Sequence, residues 1–531
     1  MSVPFINAHQ KGELKLDEIK DHLKELSIDT YAGKIQVSFD EESDMTTSGQ
    51  MIFFVAYLKL SGIWDKFVEE CPIIYTSHNA PNIRDILGTI LLSVLSGHKR
   101  YAHITAIRSD NVNPNLLGMT KVMSADAVRR ALENVDVAEG VKWLEDNLHY
   151  SYAPILIEPW ILDVDTSIKQ LYGKQEGAVL GYNPKKPGRP SHVYHTYMIG
   201  VLRLILNVEV LSGNESATSH TAPELWKLLD SLDKNQQPKL LRADCAFGND
   251  AIISGAEARG LDYLFKLKIT NNVKKAIIKV ANKQGWSEAG QGWSGIKSEI
   301  QLIGWHKSRK IIILRKLTTK PITALEESKV KLLKHAAVTG ADTRGYQLEL
   351  PFFDCVKGDF RDYEYAVLVT SLDEEISAIA QLYRDRADSE NGFDELKNQW
   401  GWGGYVTQDL KRCRFMARIV ALVYNWWNLF ARLADPEKHM EAISSRPMLL
   451  HAVGKQTQHS GQTYLKICSL HGLKRKVLCC FTRVTKILEE AALYAKQLTK
   501  PEVWRFILRK ALTVFLDCKD VELKLNYCNT T

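Results

Sequence analysis

One short run constrains this chain more than any other: Ile161-Leu162-Asp163-Val164-Asp165-Thr166-Ser167. Successive side chains on a strand point to opposite faces, so Asp163, Asp165 and Ser167 share one face and Leu162 and Val164 the other. Two carboxylates on a strand bedded in apolar residues are costly to bury without a neutralising partner. Either the strand is an edge with one wet face, or that face holds a cation, and a divalent ion meets the second requirement.

The surrounding pattern supplies an α/β layout. Segments 155–167, 195–206 and 206–211 read as strands, with the turn between the last two near Asn207. Residues 240–244 form a short apolar strand, followed by a helix over about 250–259, a stop at Gly260 and a strand over 263–268. Strand, helix, strand is the β-α-β unit of an α/β core. Asp244 ends its strand before a glycine-containing turn, where such sheets place ligand-binding groups. Taken alone, an aspartate there is more often a cap. From about 270 to 365 the pattern is strand-rich, clearest at 311–315 and 346–353, and Trp286, Trp293 and Trp305 fall within it. Residues 365–370 read as a buried strand, and a long helix runs from about 374 to 397.

That helix carries Tyr383-x2-Arg386-x3-Glu390-x6-Lys397. At about 100° per residue all four side chains fall in a stripe roughly 60° wide. Such a stripe is not a core face. On an arbitrary helix it would be a solvated, salt-bridged surface. Here the helix follows a buried-type strand and must pack on the sheet, which favours a functional face. Carboxylates on separate elements suit phosphodiester chemistry, because divalent ions held by them can activate an attacking oxygen and stabilise a leaving one. Arg386 and Lys397 would neutralise backbone phosphates, Arg through its fork and Lys as a point charge. Tyr383 could hydrogen-bond a phosphate or a terminal nucleotide.

Five regions follow. Residues 1–150 read mainly as helices, with Ser124 a candidate N-cap for the helix carrying Arg129 and Arg130. With His98-Lys99-Arg100-Tyr101, Arg108 and Lys121, they suit a helical DNA-binding region, and a solvated bundle fits equally well. Residues 151–270 form the first part of the core, 271–365 a β-rich insertion, 366–430 the closing strand and Glu390 helix, and 431–531 a helical C-terminal region. The loop Asn183-Pro184-Lys185-Lys186-Pro187-Gly188-Arg189-Pro190 sets Lys185, Lys186 and Arg189 where they could track a phosphate backbone. His192 and His195, three apart on an extended segment, make a poor metal pair and read as structural or DNA-adjacent.

Bulk properties exclude little. A net charge of +7 permits a polyanionic partner without requiring one. Nine cysteines include no C-x2-C pair, which suggests reduced thiols and neither a zinc site nor a disulfide framework. The N-terminus lacks the apolar core of a signal peptide, and the apolar run 418–433 is broken by Asn425 and Asn428. The expectation is a soluble cytoplasmic protein with no membrane partner.

The four-residue signature around Glu390 resembles that of bacterial insertion-sequence transposases of family four at every position. Leu162 to Ser167, with Tyr172-Gly173-Lys174-Gln175-Glu176-Gly177 and Gly181-Tyr182-Asn183-Pro184, is similar more specifically to family thirteen-eighty. The resemblance covers about 155–430, the N-terminal region more loosely and the C-terminal region hardly at all. It implies an RNase H-like mixed-sheet core with a β-rich insertion and flanking helices. It also implies an Asp-Asp-Glu triad binding two Mg2+ ions, with Mn2+ substituting. Glu390 matches the glutamate and Asp244 the second aspartate. The family's Asp followed two residues later by Thr or Ser fits Asp165 with Ser167, and Asp163 is kept as a neighbour on the same face. Implied partners are DNA, as terminal inverted repeats and target, in the bacterial nucleoid, and a second copy in a homodimeric synaptic complex. The separation of 146 positions from Asp244 to Glu390 exceeds one β-α crossover and leaves room for the insertion. Some relatives use an insertion-domain tryptophan to stack a flipped base; Trp293 or Trp305 could do so, though each is better read as core. An RNase H-like nuclease without strand transfer and a non-catalytic DNA-binding descendant are the competing functions.

Overall fold

The computed structural model describes residues 26–517, apart from 39, 41–42, 76, 78, 184–185, 216 and 318–362. The chain enters through a hairpin, β1 (Leu26–Thr30) and β2 (Gly33–Val37), and a two-residue strand, β3 (Met45–Thr46). Helices follow: α1 (Met51–Ser61), α2 (Ile63–Glu69), α3 (Ile83–Leu95), α4 (Val112–Leu116), α5 (Ala125–Glu133) and α6 (Val137–Tyr152). The starts of α3, α5 and α6 obey capping chemistry. Asn82 accepts from the Arg84 amide, Ser124 from Ala127, and Asp136 from Ala138 and Glu139.

The central sheet begins with β4 (Ile161–Gln170), β5 (Ser191–Ile199) and β6 (Leu204–Ser212). Helix α7 (Ala217–Asp230) leads to β7 (Leu240–Ala243), α8 (Asp250–Ala258), β8 (Asp262–Lys266) and α9 (Asn271–Ala281). Then come β9 (Ser287–Gly290), β10 (Trp293–Ile300), β11 (Arg309–Leu317) and β12 (Tyr363–Thr370). These strands form a nine-stranded sheet in the order β6-β5-β4-β7-β8-β12-β11-β10-β9. Only the β4–β7 and β7–β8 pairs are parallel. The result is a mixed α/β sheet, with helices flanking it. Strands β9 to β11 extend this sheet through β12.

Two helices follow β12: α10 (Ile376–Arg384) and α11 (Arg386–Gln399). Next is α12 (Leu410–Ala434), buried over almost its whole length, and then α13 (Ala442–Leu449). A hairpin of β13 (Val453–His459) and β14 (Gln462–Cys468) pairs with β3, and α14 (Lys474–Tyr494), α15 (Lys500–Ala511) and α16 (Thr513–Asp517) complete the described chain. The two asparagines that interrupt the apolar run of α12 bind the sheet. Asn425 accepts from the Ile205 amide at 2.8 Å and donates to its carbonyl at 2.7 Å, and Asn428 donates to Leu202 and Arg203 carbonyls. No described helix is long and apolar enough to cross a membrane.

Several expectations shift. The first core strand starts at Ile161, because Pro154 opens a short 3-10 turn at Ala153–Ile155. The β5–β6 turn lies at 200–203, with Arg203 at φ 52, and Asn207 is inside β6. Part of the strand-rich stretch is helix α9, and the C-terminal region contains a hairpin. The helix expected over 374–397 is two helices meeting at Asp385. The Leu382 carbonyl, the acceptor that a continuous helix would offer the Arg386 amide, takes a hydrogen bond from the Arg242 guanidinium. A side chain inserted in the ladder is a recognised cause of a helix break. The strand expected at 346–353 lies outside the described residues.

Candidate active site

The site is built on the parallel register of β4 and β7. Leu162 pairs with Leu241, Asp163 with Arg242 and Val164 with Ala243. One step further along both strands stand Asp165 and Asp244. Leu162 and Val164 are buried on the far face, which leaves Asp163, Asp165 and Ser167 together on the other. Asp244 sits at the carboxyl end of β7, where its Oδ1 accepts from the Ala246 amide at 2.9 Å.

Helix α11 brings the third carboxylate. Arg386, at its first residue, is only 3% exposed. Its Nη2 lies 3.1 Å from Asp165 Oδ1, and its Nη1 donates to Glu390 Oε1 one turn along the helix. Ser167 Oγ donates to Asp165 Oδ2 at 3.3 Å. Burial pushes the Asp165 carboxyl above its ordinary value, Arg386 and Lys397 pull it down, and Asp244 adds to the rise. The Arg386 pKa is raised, because Asp165, Tyr383 and Glu390 together outweigh the effect of its burial. Tyr383, at the end of α10, feels Arg386, Asp244 and Glu390, but burial dominates and holds its phenol well above the ordinary value. Its hydroxyl is therefore a donor at neutral pH. Thus Asp165, Asp244, Tyr383, Arg386, Glu390 and Lys397 converge, although Tyr383 and Glu390 stand on different helices.

Asp163 is elsewhere. It is fully buried, and its two oxygens accept from Arg242 Nε and Nη2, each at 2.7 Å. Ser389 Oγ also donates to it. Its hydrogen-bonding capacity is taken up beneath the site. Sequence reasoning missed Arg242 and Ser389, and also Lys169, which continues the Asp165–Ser167 face. Lys169 Nζ donates to the Gly404 carbonyl at 3.4 Å, and burial lowers its pKa to about 8. Alternation alone would have found it had the strand been extended past Ser167.

The remaining candidates lie apart from this cluster. Lys186 and Arg189 are exposed, and both stand over the exposed Tyr172 ring, Arg189 at 4.8 Å. Lys185 lies outside the described residues. Arg129 pairs with Asp126 and stands 5.9 Å over Tyr101, while Arg130 is exposed. Trp305 is buried beneath Arg309, and Trp293 is partly buried against the cluster around Ile312 and Leu368. His192 and His195 are buried and hydrogen-bonded, to the Glu176 carbonyl and Thr221 respectively.

Among the described residues no three His, Cys, Asp or Glu side chains form a ready metal cage. The donor chemistry nevertheless fits a hard divalent ion, since Asp165, Asp244 and Glu390 offer carboxylate oxygens. A half-buried Asp165 beside a second aspartate is stabilised in its charged form by a neighbouring cation, and Arg386 supplies one here. A divalent ion bound to both Asp165 and Glu390 would take over the contacts that Arg386 now makes.

A family model described as the transposase DDE domain matches residues 157–426. No curated protein matches the chain. Among solved structures, a cryo-EM structure of a piggyBac transposase synaptic complex with hairpin DNA aligns at 11% identity with a TM-score of 0.37. The alignment covers 88% of this chain and 85% of that one.

Proposed function

The chain belongs to the transposase DDE domain family, and from that premise we propose that it is a DNA transposase cleaving and joining strands at the ends of its element. The observation that carries the reading is the convergence of three carboxylates from two neighbouring parallel strands and a helix, with Arg386 between Asp165 and Glu390. We assign Asp165, Asp244 and Glu390 as the ligands of two divalent ions, Mg2+ or Mn2+. We further propose that it is an insertion-sequence family four transposase of the family thirteen-eighty type, a reading supported by the resemblance of Tyr383, Arg386, Glu390 and Lys397 and of the run 162–167.

When bound, the ions would ease ionisation of the attacking hydroxyl and offset charge on the departing oxygen. Ser167 orients Asp165 by its hydrogen bond. Arg386, released from Asp165 and Glu390, would turn its fork to a backbone phosphate, and Lys397 would add a point charge beside it. Tyr383, kept protonated, donates to a phosphate oxygen. Asp163 supports the fold beneath and takes no part in ligation. Residues 1–150, with Arg129 and Arg130, are the proposed end-binding region; 151–270 and 366–430 form the core, 271–365 the insertion with Trp293 and Trp305, and 431–531 the helical remainder. Lys185, Lys186 and Arg189 are proposed to follow the DNA backbone. The protein would work as a homodimer when two ends are synapsed.

Purified protein, its element ends, Mg2+ and a target plasmid provide the test. Joined products that vanish with Glu390→Ala support the reading; equal joining by that variant sinks the site assignment. Cut but unjoined ends would make the protein a nuclease. Mass measurement of the end complex checks the dimer.

A further inference from the structure

A second polar cluster lies directly beneath the carboxylates. Asp163, Arg242 and Ser389 are 0%, 1% and 0% exposed. Arg242 clasps both Asp163 oxygens at 2.7 Å through Nε and Nη2, and Ser389 Oγ donates to Asp163 Oδ2. Arg242 Nη1 donates to the Leu382 carbonyl at the break between α10 and α11. Gly200 closes over the group: a Cβ there would stand 2.1 Å from Asp163 Oδ2.

The placement of these residues is specific. Asp163 is two residues before Asp165, Arg242 two before Asp244, and Ser389 one before Glu390. Each member therefore sits on the element that carries one of the three carboxylates. A buried ion pair is weak evidence for stability, since apolar residues of similar volume often do as well or better. What an apolar cluster could not do is fix three backbones through directional bonds. The clasp also draws the Leu382 carbonyl out of the helical ladder, so α11 starts afresh at Arg386.

We infer that Asp163, Arg242 and Ser389 are positioning residues, a three-way tie that sets the spacing of Asp165, Asp244 and Glu390. The inference rests on the proposed role of those carboxylates. Asp163→Asn leaves a buried guanidinium short of charge and can unfold the chain. Ser389→Ala keeps the ion pair and removes only the link to α11, so it is the decisive variant. Its control is Ser254→Ala, which removes a hydroxyl that accepts from Arg309 Nη2 at 2.8 Å in another arginine cluster.

The measurements are Mn2+ affinity without DNA, by electron paramagnetic resonance titration, and nicking of an end-bearing duplex. Ser389→Ala should weaken Mn2+ binding about tenfold, the scale on which supporting residues tune metal sites, and slow nicking with it. Ser254→Ala should change neither. Wild-type Mn2+ binding and nicking that Ser389→Ala leaves unchanged would overturn this inference alone. A wild-type chain that neither binds Mn2+ nor nicks the duplex would overturn the proposed function, and the inference with it.

Discussion

Arg386 Nη2 stands 3.1 Å from Asp165 Oδ1 in a nearly enclosed position, so the first carboxylate of the site is neutralised by the arginine four residues before the last one. Arg386 also holds Glu390. A cation entering between these carboxylates must displace charge-assisted bonds worth about 1.5–3 kcal/mol each in favourable settings. Arg386→Gln is therefore predicted to tighten Mn2+ binding by free protein about tenfold while strand cleavage falls, because the phosphate loses its fork. Calorimetric Mn2+ titration and a nicking assay check both halves. Weaker Mn2+ binding by the variant would show that Arg386 supports the ligand set and does not compete with an ion.

How much of this was legible depended on distance along the chain. Alternation placed Asp163 and Asp165 on one face of β4, and apolar runs with a glycine stop found β7 and α8. The choice between the two aspartates was not legible, because same-face residues differ only in what they meet. Arg242 is 79 residues from Asp163 and Ser389 is 226 away, so their bonds leave no local pattern. A different long-range bond from Arg242, to the Leu382 carbonyl 140 residues away, broke a helix that local spacing joined. Asn207 has strong turn chemistry, yet its amide donates to Glu145 Oε1 at 2.9 Å from within a strand. A tertiary partner there outweighed turn propensity.

Glu390 separates stability from function. Its side chain is 61% exposed, and the Arg386 it binds is nearly buried but keeps Asp165 as a partner when Glu390 is lost, so the pair should contribute about 1 kcal/mol, between an exposed and an enclosed charge-assisted contact. Glu390→Ala should therefore melt within about two degrees of wild type. End cleavage should fall by more than about 100-fold, beyond the effect of losing a residue that merely supports a ligand. Thermal unfolding and single-turnover cleavage measure the two, and a variant that cleaves at a tenth of the wild-type rate would remove Glu390 from the site.

Lys169 gives a pH signature. Its pKa is lowered by burial to about 8, below the unfolded value near 10.4. Below pH 8 both states carry the proton, and the penalty for burying the charge is fully present. Between about pH 8 and 10.4 the unfolded chain holds the proton and the folded chain does not, so this residue makes stability rise with pH. Lys169→Met should therefore unfold at higher temperature than wild type at pH 7, with the gap closing towards pH 10. Melting curves at both pH values decide it; a gap that stays constant would rule out a buried, titrating Lys169.

The join between α12 and the sheet should be the most sensitive single contact outside the site. Asn425 is fully buried, and its amide satisfies both the N–H and the carbonyl of Ile205 where the β5–β6 register shifts. Leucine is bulkier and adds apolar surface, which would favour the core if burial were all that mattered. It would also strand two backbone groups away from water, at about 1–3 kcal/mol each. The second effect exceeds the first, because burying the larger apolar side chain returns only about 1.5–3 kcal/mol and its added bulk must be fitted into a close-packed interior. Asn425→Leu is predicted to lower the unfolding midpoint by several degrees, with Asn425→Gln intermediate. An equal or higher midpoint for the leucine variant, read by thermal unfolding, would mean that Ile205 finds other partners.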